Sequence, residues 1–192
     1  MIPISDAKSF RKLPLITILF IFLNTVLFFL FFSQLGEMIL SYGFVPSDFN
    51  VFNLFSSIFI HASFWHLLVN MWFLWIFGST LEDKIGRGKF FMLYIILGLL
   101  SNLIYFIFAT SDLAVPIVGA SGAISGILGA YLVLFPKKKI KTFPNFNLKA
   151  YVYIILWFAL QIFFYFLGGG GIAFLGHFGG FLSGIILALL LK

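Results

Sequence analysis

Residues 90–109 read FFMLYIILGLLSNLIYFIFA, twenty consecutive residues without a charged side chain. Because a helix that crosses a bilayer needs about 20 mainly apolar residues, this stretch predicts a transmembrane helix. The whole chain of 192 residues is 62% hydrophobic and 9% charged, whereas soluble domains are about 45–50% apolar and about 25% charged. A soluble domain and a disordered chain are therefore excluded. A disulfide scaffold is excluded as well, because the sequence contains no cysteine.

Five other apolar stretches of similar length accompany this one, and continuous apolar runs favour helices over the alternating strands of a barrel. We therefore predict an all-α membrane protein with six transmembrane helices in a single domain, residues 1–192. The predicted spans are 13–33, 62–81, 90–109, 118–136, 149–167 and 172–191. The first run is interpreted as a retained helix and not as a signal peptide, because no small-residue cleavage site follows it.

The basic residues all lie on one side of this arrangement. The twelve Lys and Arg residues occupy the segments 1–12, 82–89 and 137–149 and position Lys192. The opposite segments, which contain no basic residue, are 34–61, 110–117 and 168–171. Since Lys and Arg concentrate on the cytoplasmic side of membrane proteins, both termini are predicted to be cytoplasmic. The net charge of +6 is thus explained by orientation, and no nucleic-acid partner is expected.

The first of the opposite segments, residues 34–61, is too long for a simple connection and rich in Leu, Ile and Phe. Such a segment would not extend freely into water. We expect it to fold against the helical bundle or to lie in the bilayer interface.

Few polar side chains fall at membrane depth. The stronger candidates are His66, Asn70, Ser121, Ser125 and His177, and the weaker ones are Asn24, Asn102 and Gln161. Taken singly, each has a structural explanation, because polar and small residues often join helices within membranes. Asp, Glu, Lys and Arg are missing from the depth of every predicted span, which argues against a proton-coupled carrier or a voltage sensor.

Ser121 follows a turn-prone loop and falls near the start of the fourth predicted helix, within Gly119-Ala120-Ser121-Gly122. Gly122 and Gly126 form a face of small residues that suits close helix packing. A helix N-terminus also offers free N–H groups and the positive end of the helix dipole. A serine at this position could therefore have an oxyanion site beside it.

His177 shares its predicted helix face with Gly180 and Gly184. A glycine face lets another backbone approach closely, so a partner helix with its own glycines could bring Ser121 and His177 within hydrogen-bond distance. His66 and Asn70 are four residues apart and share one face of the second helix.

Together these side chains are the components of a serine hydrolase. Ser121 would be the nucleophile, His177 the general base and then the acid, and Asn70 and His66 the donors to the oxyanion. Because no carboxylate lies at depth, we expect a Ser–His dyad in place of a triad oriented by Asp.

At these residues the chain resembles the rhomboid family of intramembrane serine proteases. Gly119-Ala120-Ser121-Gly122 resembles the family's Gly-x-Ser-Gly nucleophile motif, His66 to Asn70 resembles its His-x-x-x-Asn region, and Gly176 to Gly180 resembles its sixth-helix histidine motif. The resemblance implies the minimal six-helix prokaryotic type in the inner membrane, with a water-filled cavity open to the outer side. The fifth helix and the glycine run at 168–171 would then form a mobile gate and cap.

The resemblance further implies that the substrates are single-span membrane proteins, that neither a metal nor an organic cofactor is used, and that oligomerisation is not required. Phe52-Asn53 stands where the Trp-Arg pair is common in the family's first loop. Some members stack an aromatic residue, four positions after the serine, on the histidine. Here that position is Ser125, so His177 must be held in another way.

Three alternatives remain open. The first is a catalytically inactive rhomboid-like protein that binds transmembrane helices. The second is a small channel or carrier, which the lack of deep charges disfavours. A metalloprotease is disfavoured because His61, His66 and His177 lack a ligating carboxylate.

Overall fold

The computed structural model describes residues 2–6, 12–167 and 174–190, and most of them are helical. The helices are α1 Leu15–Leu30, α2 Leu35–Tyr42, α3 Val51–Ser56, α4 Phe64–Phe73, α5 Ser79–Ile85, α6 Arg87–Phe108, α7 Ser121–Leu134, α8 Ala150–Phe166 and α9 Phe174–Leu190. A π-helical segment, Leu74–Gly78, joins α4 to α5, and short 3₁₀ turns follow α1 and α3.

Each of the six predicted apolar stretches contains a helix, but the helices differ in length. Among the described residues, Phe64–Ile85 and Arg87–Phe108 are long and apolar enough to cross a membrane. The helices Leu15–Leu30 and Phe32–Tyr42 are bent by 67° relative to each other, and together they would form a third span if they crossed the membrane as one broken helix. The described part of the chain is thus mostly helical, with two or three helices long enough to be candidate spans. This number is smaller than the six predicted, because α7, α8 and α9 are shorter.

The prediction of an all-α fold is wrong at one end of the molecule, where three strands form an antiparallel sheet. The strands are β1 Ile2–Asp6, β2 Lys139–Phe143 and β3 Phe146–Lys149, in the order β1-β2-β3. In β2, Ile140 and Thr142 are buried while Lys139 and Lys141 are exposed. This alternation has the period of a strand, but the lysines and the short length make the segment resemble a charged connection.

The helix α7 lies at the centre of the fold. All of its residues from 122 to 131 are buried, as expected of a helix that is enclosed on every side. Its neighbours are α6 and α9, so the N-terminal residue of α7 is held in place by helices on both sides.

The long segment between α1 and α4 folds against the bundle, which confirms that expectation. Phe44 and Ile58 are buried, and the backbone groups of Phe44 and Ile117 exchange two hydrogen bonds of 2.9 and 2.8 Å. Asn102 of α6 donates its side-chain N–H groups to the Leu54 carbonyl oxygen and to Ser57 Oγ, both at 2.9 Å. These hydrogen bonds anchor the segment to α6 and to the loop before α7.

Two carboxylates stabilise the end of the bundle that carries the sheet. Glu82, which is 3% exposed, accepts the Ile16 and Thr17 N–H groups at 3.0 and 2.8 Å and thereby satisfies free donors at the start of α1. Asp6 of β1 accepts hydrogen bonds from the hydroxyls of Thr80 and Tyr131 and from Lys138. Neither carboxylate lies near the start of α7.

Candidate active site

Ser121 and His177 meet across the contact between α7 and α9. Ser121 is the first residue of α7, and His177 lies in the first turn of α9. The Ser121 Oγ and His177 Nε2 atoms are 2.8 Å apart. This is the distance expected between a nucleophilic hydroxyl and the base that would remove its proton.

Glycines explain how the two helices come so close. A Cβ atom added to Gly180 would overlap the Gly122 carbonyl oxygen, and one added to Gly184 would overlap the Gly126 carbonyl oxygen. A Cβ at Gly126 would in turn lie 2.9 Å from the Gly180 carbonyl oxygen. Any larger residue on these faces would therefore separate the backbones that carry Ser121 and His177.

Gly119 makes the turn into α7. Its φ of +118° is a backbone conformation that favours glycine, and a Cβ there would lie 2.7 Å from the His66 imidazole. The Gly119 N–H group donates to the Ser57 carbonyl oxygen at 2.9 Å, which ties this turn to the segment before α4. His66 therefore lies beside the turn that leads into the start of α7, where the first N–H groups have no partner within the helix.

His66 and Asn70 of α4 line the same cavity as Ser121 and His177. Asn70 is 6% exposed, and its Nδ2 atom has no hydrogen-bond partner among the described residues. A buried donor without a partner costs about 1–3 kcal/mol. An oxygen of a substrate bound in this cavity would supply the missing acceptor for the Asn70 amide.

The cavity has a volume of about 640 Å³ and is lined by apolar side chains as well as by these polar groups. That volume falls in the usual range of ligand pockets. Gln161 of α8 also lines it, and the Gln161 Oε1 atom is 3.3 Å from His177 Nδ1. The imidazole of His177 therefore has a polar neighbour at each ring nitrogen.

The remaining polar candidates have structural partners. Asn24 donates to the Phe20 carbonyl oxygen within α1, and the Ser125 hydroxyl donates to the Ser121 carbonyl oxygen within α7. Asn102 lines the cavity, but its amide binds the segment before α4.

His61, which precedes α4, contacts the residue just before α7. It is 1% exposed, and its Nε2 atom accepts the Ala120 N–H group at 3.5 Å. Burial lowers the pKa of His61 to about 3, so the ring is neutral and able to accept this bond. Its ring centroid lies 5.1 Å from that of His66, which helps to fix the wall of the cavity.

Two further expectations concern the gate and a metal site. The glycine run at 168–171, expected to be part of a gate, lies outside the described residues. Across the described ranges, no three His, Asp or Glu side chains are grouped so that they could hold a metal ion.

Comparison with known proteins identifies the family. Residues 48–192 match the model of the Rhomboid domain. The chain is 35% identical over 156 residues to Rhomboid protein 1, mitochondrial, of Saccharomyces cerevisiae, which covers 78% of this chain and 43% of that protein. It is 29% identical over 185 residues to Rhomboid protease GluP of Bacillus subtilis, which covers 91% of this chain and 34% of that protein.

A third relative is Presenilin-associated rhomboid-like protein A, mitochondrial, of Danio rerio, 36% identical over 85 residues, or 44% of this chain and 22% of that protein. The chain spans less than half the length of each of these three relatives. The domain match includes Asn70, Ser121 and His177 and extends over more than half of the chain. The protein therefore belongs to the rhomboid family.

Proposed function

We propose that the protein is an intramembrane serine endopeptidase that cleaves transmembrane segments of single-span membrane proteins with a Ser121–His177 dyad. The observation that carries the proposal is the 2.8 Å contact between Ser121 Oγ and His177 Nε2 inside a cavity. Membership of a family that includes a named rhomboid protease supports the same reaction class.

In the first step, His177 Nε2 accepts the Ser121 hydroxyl proton while Oγ attacks the carbonyl carbon of the scissile peptide bond. His177 then donates this proton to the leaving amine, which leaves an acyl-enzyme ester. In the second step, His177 takes a proton from water, the resulting hydroxide attacks the ester, and Ser121 recovers its proton.

The negative oxygen formed in each step needs hydrogen-bond donors. We assign this role to the free Asn70 Nδ2 amide, to the N–H groups of the first turn of α7, and to His66. Donors that are already oriented in a site of low dielectric stabilise such an oxygen strongly. This assignment also explains why an amide is buried without a hydrogen-bond partner among the residues that the structure describes.

We further propose that residues 1–192 form a single domain in which six apolar helices cross the membrane, with both termini in the cytoplasm. α7 has 14 residues and is about 21 Å long at 1.5 Å per residue, shorter than the hydrocarbon core of about 30 Å. Because lysines follow α7 at residues 137–139, its opposite end would stop below the outer surface. Ser121 would then lie inside the membrane and receive water through the cavity.

We propose the inner membrane of a prokaryote, because the chain resembles the minimal six-helix type, and the position of the lysines would open the cavity to the outer side. The yeast and zebrafish relatives are named as mitochondrial proteins. We propose that neither a cofactor nor assembly into oligomers is needed, since the polar groups required for hydrolysis come from this chain.

An inactive rhomboid-like protein that binds transmembrane helices is the second candidate. It would have no need of a serine hydroxyl held by an imidazole, so the Ser121–His177 contact disfavours it.

A fluorophosphonate probe separates the two candidates, because it reacts with an activated serine and not with an ordinary one. We expect labelling of the purified protein, mapped by mass spectrometry to Ser121. Labelling should be lost in Ser121→Ala and reduced in His177→Ala. The matched control is Ser125→Ala, whose hydroxyl lies one turn away and donates to a carbonyl oxygen of its own helix. An unlabelled wild-type protein would favour the inactive binder.

A further inference from the structure

His177 is held between two helices. On one side its Nε2 atom is 2.8 Å from Ser121 Oγ of α7, and on the other its Nδ1 atom is 3.3 Å from Gln161 Oε1 of α8. Within the described part of the chain, these are the side chains that hydrogen-bond to the imidazole, and neither is a carboxylate.

The proton positions follow from the chemistry of the first step. If Nε2 is to accept the Ser121 hydroxyl proton, it must be unprotonated, so the proton of the neutral ring is on Nδ1. The neighbour of Nδ1 must then be an acceptor. The Gln161 amide offers its Oε1 atom at this position, so one hydrogen bond selects the reactive tautomer and fixes the plane of the ring.

Gln161 is an unusual residue in its own helix. α8 reads AYVYIILWFALQIFFYF, and Gln161 is its single amide. The flanking residues Leu160 and Ile162 are exposed on the outside of the bundle, whereas Gln161 lines the cavity. A polar side chain in an apolar helix is costly unless it has a partner, and here that partner is His177.

The position four residues after Ser121 cannot supply this support. Ser125 has no aromatic ring to stack on the imidazole, and its hydroxyl is used by the Ser121 carbonyl oxygen at 2.8 Å. The orientation of His177 must come from another helix, and Gln161 is the side chain that reaches its second nitrogen.

We infer that Gln161 is the positioning residue of the dyad, which holds His177 through a hydrogen bond from Nδ1–H to Oε1 so that Nε2 faces Ser121. This inference rests on the proposed serine protease function. Gln161 takes the part that an aspartate takes in a triad, with a neutral acceptor in place of a charge. A neutral amide suits this depth, because an unpaired carboxylate would be far more costly to bury.

The test is steady-state cleavage of a model transmembrane substrate in proteoliposomes by three variants. Gln161→Met removes the acceptor at similar volume, and kcat should fall about tenfold, the upper effect of one neutral hydrogen bond, with KM unchanged. Gln161→Glu keeps an acceptor oxygen, and burial favours its neutral, protonated form, so this variant should retain most of kcat. Leu160→Met places the same new side chain on the exposed face of α8 and should match the wild type.

A purely structural role for Gln161 would lower the thermal stability of both Gln161 variants and would not separate kcat from KM. Wild-type kcat in Gln161→Met, or an equal loss of kcat in Gln161→Glu and Gln161→Met, would overturn the inference. Ser121→Ala is measured beside them. If Ser121→Ala still cleaves, the proposed function fails. If it is inactive while Gln161→Met is fully active, only the role of Gln161 fails.

Discussion

The side chains that hydrogen-bond to His177 are neutral, although the exposed Asp112 also lines the cavity. Asn70 and Gln161 present amides to the cavity, while the buried carboxylates Asp6 and Glu82 lie at the other end of the bundle. Because a charge buried in an apolar environment is costly, the site relies on hydrogen-bonding dipoles. The transfer of a proton from Ser121 to His177 would then create charge only during the reaction, when the oxyanion donors can stabilise it.

Asn70 gives a direct test of those donors. Asn70→Ala should lower kcat/KM for a transmembrane substrate by about 10²–10³-fold, because one oxyanion donor is lost. The control is Asn53→Ala, which removes an exposed amide that donates to the Ser41 carbonyl oxygen outside the cavity, and its kcat/KM should stay within about twofold of wild type. A loss of less than threefold in Asn70→Ala would show that Asn70 is not a donor to the oxyanion.

Residue types alone predict much of this site. Ser121, His177, Asn70 and His66 stand in motifs, and the structure brings all four to one cavity. Gln161 ranks as a weak candidate in the sequence because its partner lies on another helix, and one sequence does not reveal which faces of α8 and α9 meet. Its isolation as an amide in an apolar helix is the signal that could have identified it.

At the scale of elements, the contact between α7 and α9 decides whether the site exists. The backbones of these helices touch at Gly122, Gly126, Gly180 and Gly184. Packing of small residues is a common way to join helices in membranes. Here it also sets the distance between a serine and a histidine that come from different helices.

Gly180→Ala tests this contact. Its new methyl group would overlap a backbone carbonyl oxygen of α7, and overpacking of this kind typically costs about 1–3 kcal/mol. We expect a lower melting temperature and slower fluorophosphonate labelling of Ser121.

Gly88→Ala is the matched control for Gly180→Ala, since a Cβ added to Gly88 of α6 meets nothing within 4 Å. This variant should melt at or above the wild-type temperature, because alanine favours a helix over glycine. Equal melting temperatures and labelling rates in the two variants would contradict the importance of the α7–α9 contact.

The elements differ in how well the sequence predicts them. Helices occupy all six apolar stretches, because long runs without charge leave few alternatives. The sheet is missed because β2 and β3 are short and carry lysines, and because β1 pairs with a strand more than 130 residues away in the chain. The sequence also does not predict that α7 is short, because its N-terminal end is set by the Gly119 turn and not by hydropathy.

At the scale of the whole molecule, the two ends of α7 have different surroundings. Ser121 begins the helix at the cavity, while the chain just beyond Leu134 leads to Lys138, which pairs with Asp6 at 2.5 Å. The lysine-rich sheet and the cavity are therefore at opposite ends of this helix. In a bilayer, the positive end would face the cytoplasm and the cavity the outer side.

This orientation can be measured directly, because the sequence contains no cysteine. We expect Ser111→Cys, in the exposed loop between α6 and α7, to react with a membrane-impermeant maleimide on intact cells. Asn145→Cys, in the exposed turn between β2 and β3, should react only after the membrane is permeabilised. The opposite pattern of labelling would contradict the proposed topology.

The central claim, that Ser121 and His177 together hydrolyse a peptide bond within the membrane, is tested most directly by product analysis. The purified protein and a single-span substrate are reconstituted in proteoliposomes, and the substrate is examined by mass spectrometry for new termini. We predict one principal cleavage in or near the transmembrane segment with the wild-type protein, and none with Ser121→Ala or His177→Ala. Cleavage of the substrate by Ser121→Ala at the wild-type rate would contradict the account.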